Sequence, residues 1–353
     1  MSAALLLSGL LGPLAGRVID RRGGRDVLAA TSLVFAAGLV LLSLATGPGS
    51  LMAAWLVLGI GMGFGLYEAA FATAARLYGH EARSAITGIT LFAGFASTVG
   101  WPASAWMIDA AGWRGALLGW AGLHLLLGLP LNRLLVPRPP PGSPAPPPPA
   151  AGTPQVQKTM IVLACVFGAT WFVATALAAH LPRLLEAMGA SPTDAITAAA
   201  LVGPAQVAAR LAEFGLLRRA APIVSARLAA GLHPVGALLL AALGAKAAIP
   251  FVLLHGGGNG LLTIARGTLP LALFGAQGYG LRTGLLAAPA RILQGAAPLL
   301  FGIVLDQGGG RAALALSGVL MGGSCLALLL LRTPPPFTES SPDPHRHRSE
   351  RRR

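Results

Sequence analysis

What most constrains this chain is a succession of apolar runs, each close to the ~20 residues a helix needs to cross a bilayer, separated by short turns. Eleven such runs can be marked out: 2–18, 27–45, 51–74, a fourth ending near 108, a fifth ending near 135, 159–179, 195–217, 223–243, 247–268, 284–305 and 312–331. In lipid every backbone polar group must find its partner within the protein, so segments like these become helices. Composition agrees: 54% of the residues are hydrophobic and 11% charged, against about 25% charged in soluble proteins. The reading is an all-α integral membrane protein.

The net charge of +14 does not point to nucleic acid. The cations sit singly or in small groups between apolar runs, without a basic helix or aromatic–basic interleaving. The densest group is Gly16-Arg17-Val18-Ile19-Asp20-Arg21-Arg22-Gly23-Gly24-Arg25, expected as a tight cationic hairpin between the first two spans. If it faces the cytoplasm, the inner loops, helix ends and tail collect twenty-two of the twenty-six Lys and Arg. The outer turns keep Arg114, Arg183, Lys246 and Arg311, near Asp109, Glu186, Asp194 and Asp306. That asymmetry is what the positive-inside rule requires. It implies a multi-pass protein of a bacterial-type inner (plasma) membrane.

Residues 136–158 contain a proline-dense run, Pro137 to Pro154, which reads as a semi-rigid cytoplasmic spacer. The chain is thereby divided into an N-terminal bundle (1–135), the linker (136–158), a C-terminal bundle (159–332) and a basic tail (333–353), expected to be disordered and cytoplasmic. The halves echo each other. Leu77-Tyr78-Gly79 with Thr87-Gly88 returns as Leu273-Phe274-Gly275 with Thr283-Gly284, and Asp109 with Arg114 returns as Asp306 with Arg311. Gly12-Pro13 finds Gly203-Pro204. Cys165 and Cys325 lie in apolar segments and read as small core residues, without a disulfide or metal site.

The loop Gly16, Asp20, Arg21, Gly23, Arg25 resembles, in register, the loop signature of the major facilitator superfamily, with Val18 and Gly24 as departures. The resemblance implies a two-bundle fold of duplicated halves, twelve spans as the norm, and a gating role for this loop. With about eleven spans, the chain is expected to lack the first family helix, through a start-site misassignment or a real truncation. A monomer working by alternating access on a small molecule is implied. Two marks of the family's drug–proton antiporters are missing. Trp55-Leu56-Val57-Leu58 stands where an arginine is usual, and Gly100-Trp101-Pro102-Ala103-Ser104-Ala105 replaces Gly-Pro-x-x-Gly-Gly.

No enzymatic constellation, phosphate loop, cofactor motif or metal-ligand spacing is present in the sequence. The Gly256–Gly260 run is expected to serve close packing or a helix break. The candidates for function are polar side chains within spans, costly in hydrocarbon and therefore turned toward protein or a watery cavity. His255, Asn259, Thr263 and Arg266 form one helical stripe, equally readable as a helix–helix seam or a substrate-facing wall. Gln206, Arg210 and Glu213 share a face, with Arg210 and Glu213 expected to neutralise each other across one turn. Arg291, sharing a face with Gln294, is the candidate for an anionic group. Glu68 is expected to pair with an arginine such as Arg291 or Arg266, or to take up a proton. Trp171 sits mid-span in a helix that lines the cavity in the family, where packing is its ordinary role. Three to four buried arginines against two acids favour a small organic anion, with protons as coupling ion through Glu68 or His255. Efflux of drug-like compounds, or a truncated scaffold or sensor that transports nothing, are the alternatives.

Overall fold

The computed structural model describes residues 1–138, 153–217 and 219–331. Most of the proline run and the basic tail lie outside them. Among the described residues every regular element is helical.

Helix α1 (Ser2–Arg22) runs past the expected end at Val18, so Arg21 and Arg22 occupy its last turn, where cations meet the negative pole of the helix. The reversal is therefore tighter than the ten-residue hairpin read from the sequence. It is made by Gly23, at φ 83°, and Gly24. A β-carbon on Gly24 would fall 1.7 Å from Thr73 Oγ1, which is a packing reason for the departure from the loop signature. After α2 (Arg25–Ser43), the span expected at 51–74 is two helices, α3 (Pro48–Gly65) and α4 (Tyr67–Tyr78), broken at Leu66 where ψ is −167°. The break puts Glu68 in the first turn of α4, where the helix dipole favours a carboxylate. Next come α5 (Ala82–Gly94), α6 (Ala96–Leu123), a π-helical turn (His124–Gly128) and α7 (Leu129–Leu134).

The second half opens with α8 (Pro154–Ala187), which begins inside the segment assigned to the linker. Pro154 suits the first helical position, and Thr153 Oγ1 accepts the Val156 N–H. Then follow α9 (Pro192–Ala200), α10 (Val202–Ala212), a π turn (Glu213–Leu217), α11 (Pro222–Leu243), α12 (Ala248–Phe274) and α13 (Tyr279–Leu330). Seven continuous stretches are long and apolar enough to span a membrane. Reversals inside three of them, at Gly79, Gly112, Gly244 and Gly309, all with positive φ, resolve the seven into eleven crossings.

The backbone repeats the duplication seen in the sequence. Gly112 (φ 69°, ψ 175°) turns α6 back on itself, and Gly309 (φ 71°, ψ −177°) does the same to α13. Gly79 and Gly275 end α4 and α12 with φ of 58° and 72°. Pro102 and Pro298 sit inside the two corresponding helices.

The halves meet where α1 and α4 pack on α13, and α5 on α10 and α12. Backbone approaches backbone along α1 and α13: a β-carbon on Gly16 would lie 1.9 Å from the Gly280 carbonyl oxygen. Glycines of the Gly256–Gly260 run likewise press on neighbouring backbones, since β-carbons on Gly256, Gly258 and Gly260 would lie 2.9, 2.7 and 2.5 Å from the carbonyl oxygens of Val202, Ala229 and Gln206. Cys165 is exposed, and Cys325 is half-buried. The expectation of a core role for Cys165 is thus corrected, because its face of α8 points away from the neighbouring helices.

Candidate functional site

Polar side chains from both halves converge midway along the interface. Arg291, on α13, is 9% exposed and donates from Nη2 to Glu68 on α4 at 3.0 Å. Its Nη1 donates to Gln294 Oε1 at 3.2 Å. The guanidinium carbon of Arg291 lies over the Trp171 ring, 4.3 Å from its centre, and that of Arg266 on α12 lies over the same ring at 4.7 Å. Two cations thus share one indole on α8, whose electron-rich face attracts them. The indole Nε1–H of Trp171 is buried without a partner among the described residues. Arg266 itself donates back to the Leu262 carbonyl at 3.4 Å and is in no ion pair among the described residues.

These groups surround a small cavity lined by Glu68, Phe71, Phe167, Trp171, Arg266 and Thr283, with Leu286, Ala287 and Ala290 completing the wall. Its volume is about 20 Å³, room for about one water molecule. The conformer is closed around the site.

The other expected residues are placed elsewhere. The α12 stripe fans out to three neighbours instead of presenting one wall. His255 Nδ1 lies 3.0 Å from His233 Nδ1 of α11, among Phe251 and other core side chains. Thr263 faces Arg210 of α10 at 3.5 Å, and Arg266 faces Trp171. Asn259 is half-buried; its carbonyl accepts from Thr263 Oγ1 at 2.9 Å, and its side chain has no hydrogen-bond partner among the described residues. Gln206 offers its backbone to Gly260, and its half-buried side chain has no hydrogen-bond partner among the described residues.

The expected neutralisation of Arg210 by Glu213 does not occur. The helix passes into a π turn at Glu213, which shifts the register, and the carboxylate instead accepts from Ser225 Oγ at 2.7 and 2.9 Å and lies 3.9 Å from Arg83. Arg83 also donates to the Ala220 carbonyl at 2.7 Å, tying α5 to the opposite half.

The loop residues assemble a second inter-half contact. Asp20 accepts the backbone N–H groups of Gly280 and Leu281, each at 2.9 Å, and so caps the N-terminus of α13. Capping satisfies two otherwise orphaned donors and opposes the positive pole of that helix. Gly16 permits the approach, Gly23 makes the turn, Arg21 is exposed, and the Arg25 Nε–H is buried without a partner. A partner 260 residues away in the chain left no local signal for sequence reading to find.

The sequence model of the Major Facilitator Superfamily matches residues 1–265. No curated protein sequence matches the chain. Among solved structures, the proton:xylose symporter XylE superposes with a TM-score of 0.73 at 14% identity, over 93% of this chain and 84% of that one. The human organic anion transporter MFSD10 (TETRAN) superposes at 0.71 and 19% identity, over 93% and 82%. The E. coli fucose:proton symporter FucP superposes at 0.70 and 13% identity, over 93% and 90%.

Proposed function

The chain belongs to the major facilitator superfamily, and from that premise we propose that this multi-pass secondary transporter carries a small organic anion, coupled to protons, by alternating access. The observation that carries the anion reading is the pair of guanidiniums, Arg266 and Arg291, over Trp171 at the interface, with Glu68 as the one carboxylate beside them. An arginine fork suits a carboxylate geometrically as well as by charge. The remainder of the cavity wall is largely apolar, which favours an anion with a hydrocarbon body.

In this reading Glu68 and the substrate compete for Arg291. When the anion engages Arg291 and Arg266, the Glu68 carboxylate loses its counter-charge in a dry site and takes up a proton. Substrate and proton then cross together. The Asp20 cap on α13 and the Arg83 contact with Ala220 hold one end of the interface shut and must part for that end to open. The three solved relatives in fold include two proton symporters and one organic anion transporter, which is compatible with this assignment without identifying the solute.

The test is uptake by proteoliposomes containing the full chain, using labelled monocarboxylates, neutral sugars and lipophilic cations with and without an imposed proton gradient. Accumulation of carboxylates, stimulated by an inward gradient and uncoupled by Glu68→Gln, is expected. Uptake of sugars or cations in preference to carboxylates would overturn the anion assignment. Carboxylate uptake indifferent to both the gradient and Glu68→Gln would overturn the coupling.

A further inference from the structure

Arg210 is the charged group that this transport scheme leaves without a task. It lies on α10, 6% exposed, and reaches across the interface toward α5. A guanidinium offers five N–H donors. Here Nη1 donates to the Thr90 carbonyl at 3.3 Å and Nη2 reaches Thr263 Oγ1 at 3.5 Å, while the Nε–H is buried with no partner among the described residues. Among the described residues no carboxylate lies within 4 Å of it. The residue that could have neutralised it one turn along, Glu213, is turned away to Ser225 and Arg83. Gly94 makes room for it, since a β-carbon there would come within 2.7 Å of Nη1. A buried, uncompensated cation is costly, and an unmet donor adds to that cost.

This group is not remote from the cavity. Thr263 and Arg266 are neighbours one turn apart on α12, and Arg210 meets the first of them. Arg266 lies close enough to Glu68, Arg291, Tyr67 and Arg210 to feel the charge of each. Three arginines therefore face a single carboxylate, and Glu68 already neutralises Arg291. Two cations, Arg210 and Arg266, are left over, both contributed by the C-terminal half.

Resting on the anion reading above, we propose that Arg210 is a second anion anchor and that the substrate carries two anionic groups, as a dicarboxylate does. One carboxylate engages Arg266 and Arg291 beside Trp171, displacing Glu68 as described above, and the other takes the unfilled donor of Arg210 next to the Thr263 hydroxyl. Glu68 keeps its part in proton coupling. A monoanion at Arg266 and Arg291 leaves Arg210 buried and unpaired.

The test uses the purified full chain in lipid nanodiscs at fixed ionic strength. Binding of succinate, glutarate and adipate is measured by calorimetry against butyrate, valerate and hexanoate, the monocarboxylates of equal carbon count. At least one dicarboxylate should bind about tenfold or more tightly than its partner, equivalent to about 1.4 kcal/mol. Arg210→Gln should bring that ratio close to one. Arg210→Lys, which keeps the charge without the fork, should give an intermediate ratio and shows that the fold tolerates change at this position. If monocarboxylates bind and dicarboxylates bind no better, or if Arg210→Gln leaves the ratio intact, the second anchor is refuted while the anion reading stands. If neither series binds, the anion reading itself falls and the second anchor with it.

Discussion

Residues 82–134 and 279–330 are two versions of one helical hairpin, folded back at Gly112 and Gly309 with nearly the same backbone angles, yet their surroundings differ. Helix α8 lies along α13 and buries it. His180 of α8 hydrogen-bonds the Pro298 carbonyl at 2.8 Å, and Arg183 meets Asp306 at 2.6 Å. Among the described residues no helix lies along α6 in that way. Trp101 and Trp106 are 79% and 70% exposed, whereas Ala297, which corresponds to Trp101 by the 196-residue offset, is fully buried. Two buried clusters belong wholly to the C-terminal half, while the third is shared, joining Ile19, Phe71 and Ile86 to Leu271 and Tyr279. The lesson is that duplicated halves need not be equally self-sufficient. The C-terminal half has a core of its own, and the N-terminal half takes much of its burial from its partner.

The largest effect concerns the halves in isolation. In matched detergent, residues 153–331 should unfold cooperatively on heating, and residues 1–138 should not. A cooperative transition in the N-terminal fragment would remove the contrast. Within the whole protein, Leu177→Ala, at a fully buried position of α8, should cost about 2–5 kcal/mol in reversible unfolding. Leu126→Ala, at an 82% exposed position, should fall within about 0.5 kcal/mol of the parent. The two hairpins can also exchange residues: Ala297→Trp should overpack the α8–α13 contact and cost about 1–3 kcal/mol, while Trp101→Ala changes thermal stability little. The smallest effect is expected for the exposed pair of Arg183 and Asp306, where Arg183→Ala should cost at most about 1 kcal/mol. Asp109→Ala, the matching change in the other hairpin, should register nothing, since Asp109 is in no ion pair among the described residues.

The crossings and the duplication could be read from the sequence because hydrophobic length and turn glycines are local properties. Asp109 and Asp306, or Gly79 and Gly275, announce the repeat without reference to any fold. The site was legible only in part. Arg291 and Glu68 stand out as charges in apolar runs, but that they meet depends on α4 and α13 packing across the interface. The break at Leu66 has no signature, since leucine is a good helix former, and the tertiary setting decides it. Spacing on an ideal helix pairs Arg210 with Glu213, and the π turn at Glu213 defeats that inference. The α12 stripe stays open between two readings for a related reason: the residues share a face, and three different helices, α8, α10 and α11, pack around it. Gly24 shows the reverse case, in which a departure from a signature is explained once Thr73 is seen beside it.

The chamber beside Trp171, with space for little more than one water molecule, carries a consequence for the thermodynamics of opening. Any state able to admit a solute must draw solvent inward, so the open and closed forms differ in hydration and respond to water activity. Polymers too large to enter are excluded from that added water and favour the drier form. Osmotic stress should therefore slow exchange across the membrane in proportion to the water taken up, giving a measure of how wide the passage becomes.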